Sequence, residues 1–257
     1  MRSRSRFLRT CVLALGLWAG ASVADAAEIK VLSAGAVKGI VAELAEAFRQ
    51  ETGHTIAIRT GTAGEIRQKM TAGDPAEVVF VTDTVIEQLS ATGVVVADSR
   101  VDIARTGIGV AVREGTPAPD ISTPDTFKQA VLAAKSIVYT DPAIGATSGI
   151  YFAAVLQRLG IADAVKDKTV LWPGGYAAEA LVKGRAELCV HQISEILPVK
   201  GVTLVGPLPR ELQKITTYSA ALSSRAATPD VGRAFIAFAS RPSFKPKLAA
   251  AGLDYRE

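Results

Sequence analysis

Apolar residues recur along this chain in two alternating rhythms, and the alternation predicts strands and helices in turn. A short apolar strand at 29–32 is followed by Val37, Ile40, Val41, Leu44, Ala45 and Phe48, a helical spacing that fills 37–51. Gly53 stands where a left-handed residue would end that helix. The pattern continues as a strand at 55–60, a helix at 65–72, a buried strand at 78–81 and a helix at 84–92 closed by Gly93. Residues 103–112 carry the alternation of one long strand. Beyond a Pro-rich surface loop at 116–124 come a helix at 127–133, a strand at 136–140 and a helix at 150–159 closed by Gly160. A short strand at 170–171, a helix at 176–183 and a strand at 188–191 follow. A strand at 215–222 and helices at 231–240 and 243–251 complete the chain.

Strands alternating with helices predict an α/β fold with mainly parallel sheets. If the chain forms two lobes, ordinary strands must cross between them, and 103–112 and 215–222 are the candidates. That makes residues 27–105 with 219–257 the first lobe and 106–218 a second lobe inserted into it.

Small-residue loops run straight into helices four times. They are Ser33-Ala34-Gly35-Ala36, Thr60-Gly61-Thr62-Ala63-Gly64, Gly145-Ala146-Thr147-Ser148-Gly149 and Pro173-Gly174-Gly175. A helix start presents unpaired N–H groups and a partial positive charge, so each loop can hold an anion. Any one of them can equally be a tight turn or a cap that needs glycine. Four together point to a cleft that grips a small anion.

The N-terminus changes the reading of charge. Arg2, Arg4, Arg6 and Arg9 precede the apolar run Cys11–Ala19, and Ala24-Asp25-Ala26 supplies small residues for cleavage. Residues 1–26 are therefore read as a secretory signal peptide, cleaved near Ala26. Of the 29 Lys and Arg and 25 Asp and Glu, four Arg and one Asp lie in that leader, leaving 25 against 24. The near-neutral remainder offers no basic stripe for nucleic acid. About 230 mature residues suffice for one large or two small domains. Cys189, the one cysteine left, reads as a small buried hydrophobe, with no disulfide or Cys-based metal site open to it.

Few side chains carry catalytic signatures. There is no His-Glu-x-x-His pattern, no Gly-x-Ser-x-Gly elbow and no lysine at the phosphate-loop position of TGTAGEIRQK. His54 follows Gly53 in a helix–strand turn and reads as a surface residue. His191 ends a strand and either lines the cleft or packs beneath it. No cofactor and no metal is implied.

The exported α/β chain, with SAGAVKGIVAELAEAF, TGTAGEIRQKMTAGDPAEVVFVTD, YTDPAIGATSGIYFAAVLQRLGI and VHQISEI in order, resembles the periplasmic molybdate-binding proteins. These are type II solute-binding proteins of ABC importers. The resemblance spans the mature chain and implies a two-lobed fold, a ligand in the cleft between lobes, and hinge closure around it. It also implies a monomer partnered by an inner-membrane permease. Carried across position by position, the first loop's ligand Ser is Ala36 here, and the second loop's Ser is Ala63 or Gly64 with Thr62 beside it. The backbone donor before Gly-Ile-Tyr is Ser148, the next helix start falls near Gly175, and the late Tyr is replaced by Gln192. His191 and Glu195 depart from the family pattern as well.

The implied ligand set is Gly35, Ala36, Lys38, Thr62, Ala63, Thr147, Ser148, Gly175 and Gln192. Backbone donors are kept while hydroxyls are redistributed, and each missing donor to a buried oxyanion costs about 1–3 kcal/mol. A di- or tricarboxylate therefore competes with molybdate for the cleft, and Lys38 either pairs with its extra carboxylate or lies solvated on the helix surface. The first function expected is a periplasmic receptor delivering a small anion to an importer. The alternative is an enzyme resembling periplasmic aconitate isomerases, with His191 or Glu65 as the acid–base group.

Overall fold

The computed structural model of the protein describes residues 26–254. The leader expected at 1–26 lies, apart from Ala26, outside the described residues. Strand β1 (Glu28–Ala34) enters helix α1 (Lys38–Thr52) through one 3-10 turn, Gly35–Val37. Gly53 ends α1 with φ 78°, the left-handed stop its position predicts. Strand β2 (Thr55–Gly61), helix α2 (Ala63–Ala72), strand β3 (Val78–Thr82) and helix α3 (Asp83–Ala91) follow. The expected helix at 65–72 gains a first turn, because Thr62 caps α2 in a box with Glu65.

The run expected as one strand over 103–112 is two strands, β4 (Val101–Thr106) and β5 (Ile108–Arg113), divided at Gly107. The alternation continues through Gly107, so hydropathy alone carries no sign of the break. β4 belongs to one sheet and β5 to the other. The inserted segment then runs through α4 (Pro124–Ala133), β6 (Ile137–Thr140), α5 (Thr147–Arg158), α6 (Ala162–Val165), β7 (Thr169–Trp172) and α7 (Glu179–Val182). It continues through β8 (Leu188–Gln192), α8 (Ile193–Ile196) and β9 (Val202–Pro207). The chain ends in β10 (Thr216–Leu222), α9 (Pro229–Ala239) and α10 (Lys245–Ala250). α8 and β9 were not predicted. The first is one turn long, and the second ends in Gly206-Pro207, which reads as a turn.

The first sheet has strand order β2-β1-β3-β10-β4 and the second β7-β6-β8-β5-β9. In each, three strands are parallel and the strands next to the crossings pair antiparallel. β10, expected to cross between lobes, pairs along its length with β3 and β4 in the first sheet. The return crossing is the segment 208–215 before it. There the Gln213 amide accepts the Ile108 N–H at 2.8 Å and donates to the Ile108 carbonyl at 2.9 Å, tying the two crossings together. We propose a lobe division that follows sheet membership, at Gly107 and within 208–215.

Each lobe has its own aromatic core. Phe48 packs against Phe235 and Phe238 with ring centroids 5.2 and 5.3 Å apart, and Phe80 meets Phe235 at 5.7 Å. In the second lobe Phe152 meets Tyr139 at 5.0 Å and Phe127 at 6.3 Å. Burying each such ring contributes about 1.5–3 kcal/mol, so each sheet is anchored separately and the carboxyl ends of both are left to form a cleft.

Candidate functional site

The ends of β1, β2, β6 and β8 and the starts of α1, α2 and α5 surround a cavity of about 260 Å³. Gly35, Ala36 and Lys38 line it from the first loop, and Thr62, Ala63 and Glu65 from the second. Thr147 and Ser148 come from the third loop, Gly175 from the fourth, and His191 and Gln192 from the end of β8. The positions that the sequence marked thus line one cavity from both lobes.

Their local geometry divides them by what they have left to offer. The Thr62 hydroxyl accepts the Glu65 N–H at 3.2 Å and donates its proton to the Ile144 carbonyl of the other lobe at 2.5 Å. The Glu65 carboxylate in turn accepts the Thr62 N–H at 2.7 Å. Both are committed to capping α2, so Glu65, one of the two expected acid–base groups, is held at a helix start. Gly64 donates its N–H to the Gly145 carbonyl at 3.1 Å, a second bond between the lobes. On the far side, Gly149 lets α5 start against β6, because a Cβ there would lie 1.9 Å from the Thr140 carbonyl oxygen. This close approach holds Thr147 and Ser148 at the cavity.

His191 is buried, and both edges of its ring are engaged. Nε2 lies 3.1 Å from the Gly175 carbonyl oxygen and 3.1 Å from Thr140 Oγ1. A carbonyl can only accept, so Nε2 carries the proton. Nδ1 accepts the Gln192 N–H at 2.8 Å and has Ser148 Oγ at 3.2 Å. Gly175 reaches this position with φ 72°, a backbone that favours glycine.

One helical turn on, Glu195 Oε2 is 3.4 Å from the same Nδ1, and its side chain is 10% exposed. Burial pushes the Glu195 carboxyl above the usual range, opposed by the nearby His191 and Lys38. Its other oxygen faces Gly35, where an added Cβ would sit 2.8 Å away. Lys38 stands half-buried at the start of α1 with Nζ 3.6 Å from the centre of the Tyr176 ring.

Gln192 places its amide nitrogen 3.4 Å from Thr216 Oγ1 and 3.3 Å from the Tyr218 hydroxyl, leaving Oε1 buried without a partner. Turned over, the amide accepts from both hydroxyls and leaves its NH2 without a partner instead. Burial drives the Tyr218 phenol well above its usual pKa, so it keeps the proton to donate.

Sequence reasoning missed Tyr218 and Thr140, which come from separate strands and carry no motif. Glu195, noted only as a departure, was signalled by the four-residue step from His191. Cys189 is buried and burial pushes its thiol up. His54, read as a surface residue, is half-buried, accepts the Ala27 N–H at 3.0 Å and stacks on Phe48. Among the described residues, no three His, Cys, Asp or Glu side chains gather as a metal centre needs, and no helix is long and apolar enough to cross a membrane.

Two α/β lobes around a cleft lined by helix starts define a periplasmic binding-protein fold with an anion-binding site. The chain belongs to the bacterial extracellular solute-binding protein family, whose model matches residues 29–254. It is 33% identical over 231 residues to an aconitate isomerase from Pseudomonas sp, spanning 88% of this chain and 87% of the relative. It is 30% identical over 195 residues to the molybdate-binding protein ModA of Azotobacter vinelandii, 74% of each chain. The solved periplasmic molybdate-binding protein of Azotobacter vinelandii shares the fold, with a TM-score of 0.75 at 22% identity, covering 89% of this chain and all of that one.

Proposed function

We propose that this protein is exported to the periplasm, binds a small polycarboxylate in the interlobe cleft and isomerises it by moving a proton, as an aconitate isomerase does. The observation that carries this reading is a buried carboxyl–imidazole pair, Glu195 and His191, in the wall of a cavity of about 260 Å³. A receptor that only holds a tetrahedral oxyanion has no use for a group that can take and give a proton in its wall. Ala36 and Ala63 also present methyl groups where such an oxyanion would want hydroxyls. A tricarboxylate is larger, and its separate charges can be shared among the start of α5, Lys38 and the Gln192 amide.

The chemistry is an allylic proton shift. A base takes a proton from the CH2 beside the double bond, and the electron pair delocalises into the C=C and its attached carboxylates. The double bond migrates by one position, and the base returns a proton to the carbon at the other end. No atom is gained or lost, so neither cofactor nor metal is called on.

A receptor reading has one observation of its own. Two hydrogen bonds, Thr62 to Ile144 and Gly64 to Gly145, hold the lobes together around the cavity, giving the closed shape that an inner-membrane ABC permease could engage with a monomer. Proton NMR of the mature chain with trans-aconitate separates the two. Appearance of cis-aconitate supports the isomerase, whereas tight binding without conversion leaves the receptor.

A further inference from the structure

We propose that Glu195, rather than His191 or Glu65, is the catalytic residue that takes the proton from the bound polycarboxylate and returns it, while His191 acts as a positioning residue that orients it. This rests on the isomerase reading and names the group that performs it.

The argument is one of elimination among the groups that line the cavity. Glu65 spends its carboxylate on the Thr62 N–H at 2.7 Å. His191 has Nε2 against the Gly175 carbonyl and Thr140, and Nδ1 against the Gln192 N–H, so neither nitrogen is free for a ligand. Glu195 is the reverse case. One oxygen faces His191 Nδ1 at 3.4 Å, and the other has no hydrogen-bond partner among the described residues, although the side chain is 10% exposed and lines the cavity. Unlike the Gln192 amide oxygen, this oxygen is not sealed in the interior, so it is open to a ligand in the cavity. It lies next to Gly35, where any side chain would collide with it, so that loop leaves the space before it open.

The surroundings suit a group that both takes and gives a proton. Burial raises the Glu195 carboxyl above its ordinary range, the direction that suits a group which both takes and gives a proton. The charged and titratable groups facing it are His191 and Cys189 from β8, Lys38 from the start of α1, Tyr176 before α7 and Tyr218 from β10. Cys189, Tyr176 and Tyr218 all have raised pKa values and stay protonated, so Lys38 is the cation that can favour its ionised form. In the step itself, the ligand C–H breaks as a Glu195 O–H forms. That O–H then breaks as the C–H at the other allylic end forms, and Glu195 is restored.

The test compares the wild type with Glu195→Gln and His191→Gln, using trans-aconitate in D2O. Calorimetry reads binding, and proton NMR reads both isomerisation and exchange of ligand hydrogens for deuterium. Glu195→Gln keeps the shape, so it should still bind trans-aconitate while losing isomerisation and exchange by about 100-fold or more. His191→Gln removes the ring that Glu195 lies against, so it should lower kcat while KM for trans-aconitate changes little, and by less than Glu195→Gln does. If the wild type isomerises and Glu195→Gln does so at a similar rate, the assignment is overturned while the isomerase reading stands. A wild type that binds without exchange or isomerisation overturns that reading and the assignment with it. Loss of binding by Glu195→Gln, with circular dichroism unchanged, also overturns the assignment, because the residue would then be a ligand-holding group.

Discussion

Replacing Gly64 by Ala should weaken ligand binding without weakening the fold. A Cβ at Gly64 would lie 2.8 Å from the Gly145 Cα and 3.3 Å from the Gly145 and Ile144 carbonyl oxygens, all backbone atoms of the opposite lobe. Backbone cannot rotate aside, so the lobes must separate by several tenths of an ångström or more. That separation stretches the Gly64–Gly145 bond from 3.1 Å and the Thr62–Ile144 bond from 2.5 Å. At about 0.5–1.5 kcal/mol each, losing both costs the closed form roughly 1–3 kcal/mol, or about 5- to 150-fold in affinity for a ligand that binds the closed form. Within α2 itself Ala is the better helix former by about 1 kcal/mol, so the melting temperature of the unliganded protein should not fall by more than closure accounts for. Isothermal titration with trans-aconitate reads the affinity, and small-angle scattering with saturating ligand reads the closure. Wild-type affinity in Gly64→Ala, with an unchanged radius of gyration, would refute the idea that these two bonds govern closure.

The remaining predictions address the pocket and its support. Ala36→Ser restores a hydroxyl that the molybdate-type loop carries and should raise molybdate affinity by about tenfold or more, read by thermal shift; no change would count against Ala36 facing the ligand. Glu195 has a raised folded-state pKa, so its neutral form is stabilised by folding. That stability is present below the ordinary carboxylate range and is lost as pH rises through the raised value. Glu195→Gln should therefore melt higher than the wild type at pH 8 and close to it at pH 4, and the opposite order would contradict the burial argument. Gly149→Ala drives a Cβ to 1.9 Å from the Thr140 carbonyl oxygen and should destabilise the protein by about 3 kcal/mol, seen as a lowered denaturant midpoint.

The fold was largely legible because burial repeats. The spacing of Ile40, Val41, Leu44 and Phe48 declares α1 regardless of the rest, and Gly53, a φ 78° stop, marks its end. What hydropathy could not show was the change of sheet at Gly107, since β4 and β5 continue one alternation in different environments. Nor could it place the return crossing, because 208–215 forms no strand; its isolated leucines, Leu208 and Leu212, are buried, and the Gln213 amide ties it to the first crossing. The site was legible as loops and only partly as chemistry. Small residues before helices announce the cleft, and the loop positions singled out do line it. Which side chain stays free is a three-dimensional matter. Glu65 is consumed by its own helix, His191 by four residues from four different segments, and Glu195 is left unmatched by the shape of the Gly35 loop.

The central claim is that this cleft holds a polycarboxylate and moves a proton on it. Its most direct measurement is proton NMR of the mature chain with trans-aconitate at neutral pH, alongside calorimetric titration with molybdate. The account predicts saturable conversion to cis-aconitate, with molybdate binding weakly. Tight molybdate binding by a protein that leaves trans-aconitate unbound and unchanged would contradict it.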